Sequence, residues 1–381
     1  MANVLILGGG FGGVVAAERL ARTLAPEHQI TLVSRSNRFV FYPALVRLAF
    51  GKCEVEDISY DVREAMLDRR VRFIQAEVVR VDPSARKVTL AGSDVSGEIE
   101  YDYLIYALGR RLATEDVPGF FEHAHHLLGV AATLRFKEAL HNFHGGHAYI
   151  GSCPGARLDV PVYETAFALS RLLEERGEQA QITVIAPEHP ADAQPGSTDL
   201  ARAVRPALEA HGIKFLQDFP IRKITAEHLL SDDGLKLEYD LLMLVPPFEG
   251  TSALADTGLT NKKGYVRVDQ TMRVCDVERM YAVGDAVYFA GAKMGHMAVR
   301  QAEVAAGNLA AELEGRAADA VYEHEMMLVV DEGGKDSLYF HKHLWGDETS
   351  VRQGRFWGWV KRVRERYFQV QHASSGRRMF R

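Results

Sequence analysis

Three glycines near the amino terminus have the spacing that binds a dinucleotide. Gly8, Gly10 and Gly13 form G-x-G-x-x-G between the apolar run Val4–Leu7 and the helical pattern Val14–Leu24. The first glycine permits a tight turn, the second lets a pyrophosphate approach the backbone, and the third lets helix and strand pack closely. The helix start then offers free N–H groups to the phosphates. The spacing predicts a nucleotide-binding turn.

The position that should contact the nucleotide ribose carries an unusual residue. The second strand is predicted over Gln29–Val33, and an acid is expected where it ends. This chain has Ser34 there, followed by Arg35. A serine hydroxyl still hydrogen-bonds a ribose hydroxyl, although a carboxylate is the better acceptor. We therefore predict a nucleotide with a modified ribose contact.

Two further segments carry the same kind of signal. Arg279–Val283 is an apolar strand that ends in Gly284 and Asp285, and an alanine-rich helix is predicted from about Met297 to Leu313. The segment Tyr101–Gly109 is a second apolar strand that ends in a glycine.

With the glycine turn, these segments resemble the flavin-dependent oxidoreductases that have two dinucleotide-binding domains. In that family the Gly-Asp pair closes over FAD, and the aspartate contacts the ribityl chain. The segment ending at Gly109 resembles the point where the chain leaves the first FAD half, with Leu108 in place of the usual threonine. The resemblance implies FAD as the cofactor. The expected cofactor-binding residues are Gly8, Gly10, Phe11, Gly12, Gly13, Ser34, Arg35, Pro43, Ala107, Gly109, Gly284, Asp285 and Lys293.

The cysteines separate the branches of this family. Cys53, Cys153 and Cys275 are far apart, so the chain lacks the paired cysteines of the disulfide reductases. Two quinone-reducing branches remain, type II NADH dehydrogenase and sulfide:quinone oxidoreductase. The segment Asn37–Leu45, which contains Pro43, looks like the corresponding segment of both.

Two segments look more like the sulfide branch. Lys293–Met297 is similar to its quinone-side helix, and Gly354–Phe368 is similar to its carboxyl-terminal membrane segment. The resemblance gives Lys293 a role at the pyrimidine end of the flavin or at the quinone oxygen. A surface ammonium is the alternative for this lysine.

The redox cysteines of the sulfide branch are missing. Alignment on Gly151–Glu164 places Leu158 at the first cysteine position, and Asp331–Gly333 places Leu328 at the second. Leucine cannot form a persulfide, because that chemistry needs a thiolate. Cys153 is the remaining candidate redox residue, and a small buried apolar residue is its other interpretation.

The NADH branch needs a second G-x-G-x-x-G at the start of the middle domain. In Tyr149–Ala156 the second glycine position is Cys153 and the third is Ala156. A cysteine side chain there is expected to crowd the pyrophosphate. Glu188, shortly after the strand predicted over Gln181–Ile185, is the candidate ribose contact for NADH. The sequence leaves the electron donor open.

The carboxyl terminus differs in charge from the rest of the chain. Net charge is −6 overall, but residues 351–381 carry nine basic residues and one acid, a net +8. A helical apolar stripe runs through this segment, made of Phe356, Val360, Val363, Tyr367 and Val370. Four basic residues lie largely off the stripe, namely Lys361, Arg362, Arg364 and Arg366.

A basic amphipathic helix with tryptophans at its start suits an anionic membrane surface. At about 1 kcal/mol each, four basic residues add about 4 kcal/mol of attraction. A helix docked on its own core or on a partner is the alternative. No base-stacking motif accompanies the charge, so we expect no nucleic-acid partner.

Length and composition set the remaining limits. With 381 residues, 47% hydrophobic and 25% charged, the chain has the balance of a globular protein of two or three domains. The odd cysteine count indicates a reducing compartment. Neither a signal peptide nor a membrane-spanning run is recognisable. We expect a cytoplasmic protein, peripheral on the inner face of the cell membrane.

The predicted class is α/β with two Rossmann-like domains and a carboxyl-terminal membrane-surface segment. The expected divisions are residues 1–112 and 248–316 for the FAD domain, 113–247 for an NAD(P)-like middle domain, and 317–381 for the quinone and membrane region. Histidines 123–147 form a local cluster, in which His144 and His147 have metal-ligand spacing. We interpret the cluster as a solvated loop and predict no metal site.

The leading hypothesis is an FAD-dependent oxidoreductase that passes two electrons from NAD(P)H or another soluble donor to a membrane quinone. One alternative is sulfide oxidation through Cys153. The other is a flavin-loaded membrane-surface protein without turnover. A homodimer is compatible with the sequence.

Overall fold

The computed structural model describes residues 1–186, 196–217, 219–332, 336–346 and 348–373. The first part of the chain alternates short strands with three helices. Its elements are β1 (Asn3–Leu7), α1 (Phe11–Thr23), β2 (Gln29–Ser34), β3 (Arg38–Val40), α2 (Leu45–Ala49), β4 (Ser59–Asp61), α3 (Val62–Leu67), β5 (Arg72–Gln75), β6 (Glu77–Asp82), β7 (Lys87–Ala91), β8 (Gly97–Glu100), β9 (Tyr103–Tyr106) and β10 (Arg110–Leu112).

The middle part has its own set of strands and helices. Its elements are α4 (Phe120–His123), α5 (Val130–Asn142), β11 (Gly146–Ser152), α6 (Val160–Arg176), β12 (Ala180–Ile185), α7 (Ser197–Ala210), β13 (Lys214–Leu216), β14 (Ile221–Ile224), β15 (His228–Ser231), β16 (Lys236–Glu238), β17 (Leu241–Val245) and β18 (Phe248–Gly250). The last part contains β19 (Met280–Ala282), α8 (Gly295–Leu313), β20 (Glu325–Asp331), β21 (Ser337–His343), β22 (Thr349–Gln353) and α9 (Arg355–His372).

Two parallel sheets form the cores. The first has the strand order β19-β9-β1-β2-β5, and the second has the order β13-β12-β11-β17. All neighbouring strands in both sheets run parallel. Their strands are almost continuously apolar because helices and loops cover both faces. The prediction of two Rossmann-like α/β domains is confirmed.

The first sheet combines distant parts of the chain. Strand β19 pairs with β9, so the segment that ends in Gly284 completes the sheet begun by β1. Helices α1 and α8 pack against each other through small residues, among them Ala16, Ala302 and Ala306, all fully buried. From β1 the chain continues to β2 on one side of the sheet and later returns to β9 on the other side. In sheets of this kind a ligand crevice lies at such a reversal of strand order, here at the carboxyl end of β1.

Smaller sheets join and extend these cores. Strands β10 and β18 pair antiparallel where the chain enters and leaves the middle part, next to the predicted divisions at 112 and 247. Strands β20, β21 and β22 form an antiparallel sheet on which α9 packs. No helix among the described residues is long and apolar enough to cross a membrane.

Candidate functional site

The glycine turn between β1 and α1 has the geometry of an anion site. Gly8 has φ +111°, and a side chain there would collide with the carbonyl oxygen of Ala107. A side chain at Gly13 would collide with Gly8, whereas Gly10 has no atom within 4 Å of an added Cβ. Helix α1 begins at Phe11 without a side-chain cap and without an acid in its first turn. The turn therefore offers free N–H groups and open space to a phosphate.

Ser34 and Arg35 lie at the rim of this turn. Ser34 ends β2, and its Oγ donates to Ser36 O at 2.8 Å. A Cβ added to Gly9 would lie 2.6 Å from that Oγ, so the hydroxyl borders the turn directly. Arg35 is exposed, and its carbonyl accepts from Gln75 Nε2 at 3.5 Å. Both are placed for the ribose contact, which stays a prediction.

The chain leaves the first half of the domain next to the same turn. The amide N–H of Ala107 donates to Leu7 O at 2.8 Å. Gly109 has φ +70° and open space around an added Cβ. Arg110 follows, and its Nη1 donates to Asp285 Oδ2 at 2.7 Å while its guanidinium lies 3.9 Å from the ring centroid of Phe248. The sequence analysis missed Arg110, whose only signal was a basic residue directly after Gly109.

The Gly-Asp pair is held by α8. Gly284 has φ +75°, and its amide N–H donates to Gln301 Oε1 at 2.7 Å. Asp285 lines a cleft at the start of α8. The lining residues are Gly284, Asp285, Phe289, Ala292, Lys293, Met294, Met297, Gln301 and His324.

Lys293 is buried and not a surface ammonium. Its side chain is 6% exposed, and its Nζ donates to Val287 O and lies 4.8 Å from the ring centroid of Tyr265. Burial, with the nearby Arg157 guanidinium, lowers the pKa of Lys293 well below its ordinary value. A lysine in this state fits a role beside a ligand.

Arg157 ties the middle part of the chain to this cleft. Its Nε donates to Gly291 O at 2.9 Å, and its Nη2 also contacts Phe289 O. The amide N–H of Lys293 donates to Arg157 O at 2.7 Å. Burial lowers the pKa of the Arg157 guanidinium. The sequence analysis missed this residue, because its backbone partners lie more than 130 positions away.

Phe11 is at the centre of an aromatic cluster. Its ring centroid lies 5.0 Å from that of Phe39, 5.5 Å from that of Phe41 and 5.1 Å from that of Phe368 on α9. Pro43 is exposed in a short turn just after Phe41. The cluster joins the glycine turn to the last helix, and a flavin contact of Pro43 stays a prediction.

Cys153 lies in an apolar core. It has no exposed surface, and its neighbours include Tyr149 and Phe219. Burial raises the pKa of its thiol, which disfavours the thiolate that redox chemistry needs. Leu158 and Leu328, at the two expected cysteine positions, pack in another apolar cluster. This environment favours the packing interpretation of Cys153, and its redox role stays a prediction.

The turn after β11 differs from the turn after β1. Strand β11 ends at Ser152, but α6 begins only at Val160, with the buried Asp159 at its N-cap. An acid at the helix start repels phosphate. The Cys153 thiol is buried in the core, and the crowding of a pyrophosphate by this side chain stays a prediction. The candidate ribose contact Glu188 lies outside the described residues.

Helix α9 docks on the protein through a few charged side chains together with Phe368. Glu365 Oε2 accepts from Arg47 Nη1 at 2.9 Å, and His372 Nδ1 lies 2.5 Å from Glu18 Oε2. The sequence predicted that Lys361 would face a membrane. Its ammonium instead forms an ion pair with Glu164.

The apolar stripe on α9 faces outward. Four of the five predicted residues are exposed, namely Phe356 (60%), Val363 (44%), Tyr367 (67%) and Val370 (48%), and the neighbouring Trp359 is exposed too (55%). The fifth, Val360, is half-buried. The helix thus docks on its own core and leaves most of the predicted stripe exposed.

The histidine cluster of the middle part does not converge on one point. His144 is 71% exposed and its Nδ1 lies 2.8 Å from Glu178 Oε1. His126 is half-buried, and burial lowers its pKa to about 4.

The residues around the cleft fit a bound FAD. The glycine turn has an open position at Gly10 and uncapped N–H groups for a pyrophosphate, and Asp285 stands at the carboxyl end of the same sheet. Arg110 pairs with Asp285, and the charges of Arg110, Arg157 and Asp285 all act on Lys293, so basic groups outnumber the acid among these described residues, which suits an electron-rich ligand. Fold and site together define a two-domain dinucleotide-binding oxidoreductase.

Comparison with known proteins identifies the family. Residues 2–307 match the family model described as pyridine nucleotide-disulphide oxidoreductase, and the chain belongs to that family. It is accordingly an FAD-binding oxidoreductase, as predicted.

Individual relatives and one solved structure are also similar. A sulfide-quinone reductase of Aquifex aeolicus is 28% identical over 268 residues, covering 67% of this chain and 61% of the relative. An alternative NAD(P)H-ubiquinone oxidoreductase of Arabidopsis thaliana is 28% identical over 321 residues, covering 74% and 61%. The alignments thus span about three fifths of these relatives. The crystal structure of the Aquifex aeolicus sulfide:quinone oxidoreductase has a TM-score of 0.87 at 23% identity, covering 98% of this chain and 91% of that one.

Proposed function

We propose that this protein is an FAD-dependent oxidoreductase that passes two electrons from a soluble donor, NAD(P)H or another, to a membrane quinone. One observation carries the proposal: α9 exposes an apolar stripe on one face and contacts Phe11 of the glycine turn through Phe368. A surface suited to lipid is therefore directly joined to the cofactor site. A quinone is the acceptor that such an arrangement serves, since it is dissolved in the lipid.

The chain's own residues hold and tune the cofactor. When bound, FAD supplies the two-electron carrier between donor and quinone. The start of α1 would hold the pyrophosphate, and Ser34 and Arg35 would contact the ribose. Asp285, paired with Arg110, would hold the ribityl chain. Lys293, which is buried, would contact the flavin ring or the quinone oxygen.

The basic groups set the electrostatics of the cleft. Arg110 and Arg157 are both half-buried; Arg110 forms an ion pair with the Asp285 carboxylate, whose charge also acts on Arg157. Positive charge in a site of low dielectric stabilises an electron-rich ligand more than it does in water. Reduction of quinone to quinol takes two electrons and two protons, and Lys293 is the candidate proton carrier because its pKa is lowered.

The membrane contact uses the stripe on α9. Burying one large apolar side chain contributes about 1.5–3 kcal/mol. Arg362, Arg364 and Arg366 flank the stripe and are exposed, so they attract an anionic surface. This arrangement supports a peripheral location on the inner face of the cell membrane, the more anionic side.

The donor is the least constrained part of the proposal. The wide turn between β11 and α6 and the acid at Asp159 weaken the case for an NADH pyrophosphate at that turn. Sulfide is the second candidate donor, since the backbone is similar over 98% of the chain to a sulfide:quinone oxidoreductase. The burial of Cys153 counts against a thiol intermediate, so we keep a donor that reduces the flavin directly as the leading hypothesis.

Anaerobic absorbance of the purified protein tests the proposal. Flavin bands should be present, bleach after addition of NADH or NADPH, and return when a short-chain quinone is added. If only sulfide bleaches the flavin, sulfide is the electron donor, as in the second candidate function. Flavin that no donor reduces would favour a binding protein without turnover, and protein that holds no flavin would refute the proposal. The same measurement on Asp285→Asn tests the flavin site itself, since this variant is expected to lose flavin on gel filtration.

A further inference from the structure

We propose a transition-metal site, of the kind that binds Zn²⁺, formed by Glu325, His341 and His343. The two histidines alternate along β21 and so point to the same face of the sheet. Glu325 pairs with His343 across the β20–β21 ladder, which brings its carboxylate to the same face. One ligand atom from each residue lies within 4.8 Å of the other two.

The donor atoms suit zinc better than a hard cation. Two imidazole nitrogens and one carboxylate oxygen are a common zinc set that leaves a fourth position for water. Ligand atoms around a tetrahedral zinc ion lie about 3.4 Å apart, given Zn–N distances near 2.0–2.1 Å. His341 Nε2 is already 2.8 Å from Glu325 Oε2. The His343 ring centroid lies 4.8 Å from that of His341, and the proposed site requires the His343 ring to rotate towards the other two ligands.

The surroundings prepare the carboxylate and leave it accessible. Glu325 is 7% exposed, and Arg300 Nη1 lies 2.7 Å from its Oε1, which leaves Oε2 for an ion. The His341 side chain is 25% exposed, so an ion can enter from solvent.

An ion at this position would join strands β20 and β21, which lie beside the start of α8. The carbonyl oxygen of Glu325 lies 3.2 Å from Nε2 of His296, in the first turn of α8. The site would thus link β20 to β21, and only the backbone of Glu325 contacts the start of α8. It is separate from the FAD residues, so the proposal does not depend on the donor or the acceptor.

Titration of the purified holoprotein with ZnCl₂, after chelator treatment and dialysis, tests the site. Calorimetry should show one ion per chain, and His341→Gln or His343→Gln should each weaken binding at least tenfold. Zn²⁺ should also raise the melting temperature of the original protein but not that of His343→Gln. His144→Gln, which removes a histidine of the middle part, is the matched control and should bind normally.

Three results would overturn the proposal. These are no binding, binding that neither variant weakens, and binding that His144→Gln weakens equally. Circular dichroism and flavin content check that the variants are folded. His343 is only half-buried, at the end of β21, so its replacement should leave the fold intact.

Discussion

Phe368 of α9 stacks into the aromatic cluster around Phe11, with 5.1 Å between the two ring centroids. It also lies 5.7 Å from Phe39 and 5.6 Å from Phe41. The last helix is thereby packed against the first nucleotide-binding turn. Stability of α9 and retention of the cofactor should therefore change together.

Phe368→Ala should lower the free energy of unfolding by about 2 kcal/mol, because it leaves a cavity in a partly buried cluster. The variant should also lose flavin faster on gel filtration. Tyr367→Ala, one position away and 67% exposed, is the control and should change stability by less than about 0.5 kcal/mol. Equal losses from both variants, measured by urea denaturation, would contradict the docking of α9 through Phe368.

Replacing Trp359 and Tyr367 together by serine should reduce binding to anionic vesicles at least tenfold. Each aromatic side chain contributes about 1.5–3 kcal/mol when it enters the lipid interface. Vesicle flotation measures the effect, and reduction of a water-soluble quinone should persist. Leu67→Ser removes an exposed apolar side chain (76%) elsewhere and should bind vesicles normally. Unchanged flotation of the double variant would exclude the stripe as the membrane contact.

Cys153→Ala should keep its flavin and its donor-dependent bleaching, because the thiol is fully buried among apolar side chains. Cys153→Ser should lower stability by about 1–3 kcal/mol, since it buries a hydroxyl without an evident partner. Thiol-reactive reagents should not label Cys153 in the native protein. Loss of sulfide-dependent bleaching in Cys153→Ala with flavin retained would instead support the thiol route.

Acid should destabilise the protein before most carboxylates titrate. Burial lowers the pKa of His126, His296 and His324 to about 4. Between pH 6.5 and about 4 these histidines are protonated in the unfolded chain but neutral in the native protein. The unfolded state therefore binds more protons, and stability falls as pH falls. Each histidine contributes about 1.4 kcal/mol per pH unit once the unfolded form is protonated.

His324→Gln should reduce the change in unfolding free energy with pH between pH 6 and 5 by about 1.4 kcal/mol per pH unit, which corresponds to about one bound proton. The glutamine can still donate to Ala290 O, which His324 Nε2 contacts at 2.7 Å. Urea titrations at several pH values measure the slope. An identical slope in both proteins would show that His324 is protonated in the native state.

Local patterns were enough to predict the two dinucleotide-binding domains. The turn at Gly8–Gly13, the strand before Gly284 and the segment ending at Gly109 all lie where the sequence places them. Their geometry depends on short-range sterics, since a glycine is required where a side chain would meet a neighbouring carbonyl. Boundaries moved by a few residues, as in α8, which begins at Gly295 and not near Met297.

The sequence by itself determined the family, the cofactor and the amphipathic character of the last helix, because spacing and periodicity are local properties of the chain. The tertiary structure decided which face of α9 is covered. Glu365 binds Arg47 and His372 binds Glu18, and each partner lies more than 300 positions away in the sequence. It also decided that Cys153 is buried. Long-range packing sets burial and charge partners, and no local pattern encodes either of them.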